Sequence, residues 1–156
     1  MPQFKKILCP VDFDQSSPLA LGLASELAQE RKAMLYVVHI IAMPPGPEVA
    51  LPFGKMEASA RAKLERLARQ RVNGKARYEI EVVMGDPGVE ILQAAKRRGA
   101  DLIVMATHGR KGLRRLVLGS VAERVVREAP CPVLTVKPKA SASKSSSSRS
   151  VKKPQA

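Results

Sequence analysis

Tryptophan is absent from this sequence, and Phe and Tyr together make up only 3% of it. A core cannot be built around aromatic rings, so Val, Ile, Leu and Ala must fill it. There are two cysteines, Cys9 and Cys131, too few for a disulfide framework and not at a metal-ligand spacing. A structural zinc site is excluded and a reduced compartment is expected. The two histidines, His39 and His108, lie far apart in the chain. No apolar run reaches the roughly 20 residues of a membrane span. The longest, 33–45, contains His39 and ends in Pro44-Pro45. A signal-peptide core is also missing, because Asp12 and Asp14 interrupt the apolar start. Cytoplasmic residence is the expectation.

Acids are scarce as well: 14 Asp and Glu stand against 27 Lys and Arg, a net charge of +13. Five of those cations fall in 138–156, which holds no acid, so 1–137 carries net +8. The final nineteen residues contain seven Ser and one branched aliphatic, Val151. They cannot bury enough to fold, so a disordered, basic, Ser-rich tail is expected there. The basic body suggests anionic ligands or surfaces. The 156 residues otherwise suit one domain over 1–137.

Apolar patterning alternates along that domain. Residues 4–12, 33–42, 76–84, 101–106 and 132–137 read as strands. The second and fourth are continuous apolar runs, as parallel strands buried on both faces require. Between them lie four amphipathic segments. Ser17 and Pro18 read as cap and first residue of a helix with a Leu19, Leu23, Leu27 stripe. Met56, Ala60, Leu64 and Leu67 give a second helix. Asp86 and Pro87 open a third, which buries Ile91, Leu92 and Ala95 and stops at Gly99. The fourth covers 119–128, with Ser120 and Glu123 in capping-box spacing. Alternating strands and helices imply an α/β fold. The expectation is a five-stranded parallel sheet, order 3-2-1-4-5, with helices on both faces, a Rossmann-like arrangement.

Chemistry concentrates in 106–120, ATHGRKGLRRLVLGS. Gly109 and Gly112 allow close backbone approach. Gly119-Ser120 opens a helix whose free amides and dipole favour an anion. A phosphate cradle is one reading. A glycine turn in a solvated basic loop is the other. Asp12, at the end of the first strand, would face the same crevice if strands 1 and 4 are neighbours. It could accept from a ribose or an adenine amino group, or it could cap the next helix. Cys9 and Cys131 read as structural. No Walker loop and no nucleophile–base pair is present. Hydrolysis, if any, is therefore expected to be slow, and no catalytic residue is assigned.

KKILCPVDFD near the start and THGRKGLRRLVLGSVAERVVREAPCPVL near the end make the chain resemble the universal stress protein family over about 3–137. The nucleotide-binding branch of that family carries G-x2-G-x9-G-[ST], matched here by Ala106, Gly109, Gly119 and Ser120. Ala106 departs from the pattern by one methyl group. The resemblance implies binding of ATP or a related adenine nucleotide, with Mg or Mn held mainly by the phosphates. Asp12 would meet the ribose or base. Pro10 and Ile40 would line the adenine pocket, and Met105 and Ala106 would border the ribose. His108, Gly109, Gly119, Ser120 and Val121 would meet the phosphates. It also implies a homodimer paired through the last strand. A protein with an emptied pocket, acting through partners, is the alternative. Nucleic-acid binding is disfavoured, because no surface aromatics or recognised motif support it.

Overall fold

A computed structural model describes residues 3–43, 52–107 and 118–138. Five strands and four helices alternate: β1 (Lys6–Pro10), α1 (Ser17–Arg31), β2 (Met34–Ala42), α2 (Phe53–Arg71), β3 (Arg77–Gly85), α3 (Pro87–Arg98), β4 (Leu102–Ala106), α4 (Ser120–Glu128) and β5 (Val133–Val136). The strands form one parallel sheet in the order β3-β2-β1-β4-β5. Both the alternation and the order are those expected from the sequence. Residues 139–156, where the expected tail falls from its second residue on, lie outside the described residues.

Successive strand residues point to opposite faces, so each buried strand feeds two cores. Ile7, Cys9, Leu35, Val37 and Val104 pack under α1 and α2. Leu8, Val38, Ile40, Ile103 and Met105 pack under α3 and α4. Burial pushes the Cys9 thiol up to about 12, so it behaves as a small core residue.

Two helix expectations need correction. On α1 the buried residues are Ala20, Leu21, Ala24, Ser25 and Ala28, while Leu19 is exposed. Small side chains let the helix lie close to the sheet, and the leucine stripe sits beside that contact. The cap of α1 is Ser16, whose carbonyl accepts from Leu19 and Ala20. Ser17 lies inside the helix because its hydroxyl is taken by Asp12. By contrast, α3 begins as read: the Asp86 carboxylate accepts from the Val89 amide at 2.9 Å, and Gly99 ends the helix with φ 59°.

Among the described residues no helix is long and apolar enough to cross a membrane. β5 is an edge strand, paired only with β4, and its Leu134 is exposed.

Candidate functional site

The strand order reverses between β1 and β4. Chains leaving these neighbours diverge to opposite faces of the sheet, which opens a crevice at the carboxyl edge. A cleft of about 890 Å³ lies there. Pro10, Asp12, Ile40, Met105, Ala106, Gly119, Ser120 and Val121 all line it. The structure thus brings together eight residues singled out from the sequence. The other two, His108 and Gly109, lie outside the described residues.

Asp12 is held from two directions. Its Oδ1 accepts from Ser17 Oγ at 2.6 Å and from the Asp14 amide at 2.9 Å. The Asp12 amide in turn donates to Ser17 Oγ at 3.1 Å. Phe13, between these two aspartates, takes a left-handed φ of 62°. That conformation is costly for a non-glycine residue and is kept only where its surroundings impose it. Here the turn brings the Asp14 amide back onto Asp12, and the Phe13 ring packs on His39 at a tilt of 38° with centroids 4.3 Å apart. His39 Nδ1 lies 2.7 Å from the Val11 carbonyl oxygen. A carbonyl can only accept, so Nδ1 carries the proton. Both bonds to the Asp12 carboxylate fall on Oδ1, which leaves Oδ2 without a hydrogen bond among the described residues.

The opposite wall is the start of α4. The Gly119 amide donates to the Thr107 carbonyl at 2.7 Å, and the Thr107 amide donates to the Val136 carbonyl at 3.0 Å. This ties the helix start to the end of β4. Gly119 is the cap, with φ −70° and ψ 161°, and it makes no side-chain bond. The expected Ser120–Glu123 capping box does not form, because the cap is Gly119. The Glu123 amide goes to the Gly119 carbonyl at 2.8 Å, so Ser120 is already helical. The amides of Ser120, Val121 and Ala122 begin the helix, and among the described residues no carbonyl accepts them. All three residues line the cleft. The arrangement can receive an anion.

The apolar residues Pro10, Ile40, Pro87, Ile91 and Met105 form a slot beside these amides. A flat aromatic base fits such a lining. The residues present thus suit an adenine nucleotide: an apolar slot, a carboxylate oxygen and a helix start share one cleft. Ala106 is partly buried at its border. Among the described residues no group of three or more His, Cys, Asp or Glu could hold a metal.

Sequence reasoning missed one wall altogether. Lys55, Met56, Ser59, Ala60 and Lys63 of α2 also line the cleft. Lys55, Ser59 and Lys63 stand at i, i+4 and i+8, a spacing visible in the sequence that also suits any solvated helix face.

Fold and cleft define an open, doubly wound α/β protein with its site at the strand-order reversal. A family model described as the universal stress protein family matches residues 3–137. The chain belongs to the universal stress protein family. It is 36% identical over 142 residues to universal stress protein MJ0531 of Methanocaldococcus jannaschii, covering 86% of this chain and 82% of that one. Among solved structures it is similar to universal stress protein UspA from Lactobacillus plantarum, with TM-score 0.77 and 26% identity over 87% of this chain and 99% of the other. A universal stress protein from Archaeoglobus fulgidus in complex with dAMP matches with TM-score 0.62 and 25% identity, covering 86% and 98%.

Proposed function

We propose that this protein holds ATP or a related adenine nucleotide in the carboxyl-edge cleft and acts in a cytoplasmic stress response by binding rather than by rapid turnover. The observation that carries this reading is the sharing of one cleft by the start of α4, Asp12 and the apolar slot. The dAMP complex of the Archaeoglobus fulgidus relative supports the ligand class.

In this reading the base lies in the slot made by Pro10 and Ile40. Asp12 Oδ2 accepts from a ribose hydroxyl. Met105 and Ala106 border the sugar. The amides of Ser120 and Val121 receive phosphate oxygens beside Gly119, whose own amide is held by Thr107 and which leaves room for their approach, joined by His108 and Gly109. A divalent cation is carried by the phosphates. No described side chain is placed as a base for an attacking water, so turnover is expected to be slow.

The protein pairs with a second copy through β5. Its edge position and the exposed Leu134 support this, because a bare apolar edge invites strand pairing. Residues 138–156 are dispensable for fold and ligand in this reading.

Identification of any nucleotide retained through purification tests the reading. Calorimetric titration with ATP, ADP, AMP and cyclic AMP follows. Saturable binding of at least one is expected. Failure of all four to bind would overturn the nucleotide reading and favour a family member that acts through protein partners.

A further inference from the structure

The cleft has two unlike halves, because it straddles the edge of a sheet whose faces carry different helices. Ile40, Ile91 and Met105 belong to the core under α3 and α4. The start of α4 lies on that side, with Val121 and Ala122 in the same core. A mononucleotide bound as proposed above occupies this half.

The other half opens toward α1 and α2. Lys55, Ser59 and Lys63 line it from one face of α2. Eight residues of helix set the two lysines about 12 Å apart along the axis. Two other cations of α2 are matched to acids one turn away: Arg61 with Glu57 and Arg69 with Glu65, each at 3.9 Å. Lys55 and Lys63 have no ion pair among the described residues. Two unpaired cations of this helix therefore face the cleft, whereas Arg66 and Arg71, also without an ion pair among the described residues, do not line it.

One phosphate cannot serve both halves. α2 packs on β2 and β3, whereas α4 follows β4, and β1 stands between β2 and β4. Two strand spacings separate them laterally, about 10 Å, and the helices lie on opposite faces. Asp12 sits between the halves, bonded through Oδ1 to the start of α1, which neighbours α2. A ribose held there has its 5′ side toward α4 and a hydroxyl toward α2.

We propose that the Lys55–Ser59–Lys63 face of α2 is a second phosphate subsite, and that the cleft takes an adenine nucleotide phosphorylated both at the 5′ position and on a ribose hydroxyl. This rests on the adenine-nucleotide reading above. The ammonium groups supply point charges and Ser59 a hydroxyl donor to the second phosphate.

The test is calorimetric titration of the full chain at fixed ionic strength with AMP and with adenosine 3′,5′-bisphosphate. The bisphosphate is expected to bind at least tenfold more tightly. A Lys55→Ala, Lys63→Ala double variant is expected to bring the ratio of the two affinities to within about twofold of unity. An Arg61→Ala, Arg69→Ala double variant removes the same charge from α2 outside the cleft and is expected to keep the ratio. Equal affinities in the wild type, or a ratio that survives loss of both lysines, overturn the subsite. Loss of the ratio in the arginine variant also overturns it, by assigning the effect to general charge. AMP binding that inorganic phosphate strengthens as much as the 3′-phosphate does would overturn the single-ligand form. Normal AMP binding with no bisphosphate preference refutes this inference alone. Failure of AMP and the bisphosphate alike refutes the nucleotide reading and this inference with it.

Discussion

Ser17 and Asp12 are joined twice: the hydroxyl donates to the carboxylate at 2.6 Å and accepts from the Asp12 amide at 3.1 Å. The first turn of α1 thereby aims the one carboxylate described in the cleft. Ser17→Ala is expected to lower stability by about 1 kcal/mol, the usual worth of such a bond. It is also expected to weaken nucleotide binding by freeing the Asp12 side chain. Thermal unfolding and calorimetry on the same sample check both, and Ser17→Thr should restore part of each.

Gly119 faces the cleft at the start of α4. Gly119→Val is expected to weaken ATP binding at least tenfold, about 1.4 kcal/mol. Its backbone angles suit any residue, so the variant should fold, and the added side chain should obstruct phosphate approach. Unchanged affinity in a folded variant would remove the phosphate role of this helix start.

Ala106 borders the same cleft. Ala106→Gly removes one methyl group there and is expected to tighten ATP binding. Equal or weaker affinity by calorimetry would show that the methyl is no obstruction.

Glu81 bonds Arg97 at 2.7 Å and Arg98 at 3.1 Å, bracing α3 against β3. Burial pushes its carboxyl up, but the hydrogen bonds and charges of both arginines outweigh this and hold it below the usual 4.5. A carboxyl depressed by folding stabilises the native state above its unfolded pKa, and that contribution fades as pH falls through the lower folded value. Glu81→Gln is therefore expected to lower the melting temperature at pH 7 and to narrow its gap from wild type below about pH 4. A gap of constant size down to pH 3 would contradict this.

Light scattering at micromolar concentration is expected to give a dimer mass, and Leu134→Pro a monomer, because proline removes a strand amide at the edge. Deleting 138–156 should leave melting temperature and nucleotide affinity nearly unchanged.

Most of the fold was legible because parallel strands advertise themselves. Runs such as 34–42 and 102–106 are apolar on both faces, and Gly99 and Pro87 punctuate them. The eight cleft residues were legible for a topological reason: once β1 and β4 are neighbours, their carboxyl ends must share an opening. Two things escaped. The buried side of α1 was ambiguous, because alanines and leucines occupy adjacent stripes and only close packing on the sheet chooses between them. The α2 wall escaped because Lys55, Ser59 and Lys63 have the look of an ordinary wetted surface until the helix is placed. The caps of α1 and α4 were each misread by one residue, since serine repeats at Ser16-Ser17 and since the Gly119 amide is anchored by Thr107, a long-range contact.

Thr107 gives this anchoring a further meaning. Its amide is bonded to the edge strand and its carbonyl to the first residue before α4. A single peptide-length link thus joins the strand proposed to meet a second copy with the amides proposed to meet phosphate. Any influence passed along that link must run in both directions by the same factor. If assembly sharpens the grip on ligand, ligand must sharpen assembly equally, and the cell's nucleotide level would then be written into the ratio of single to paired chains.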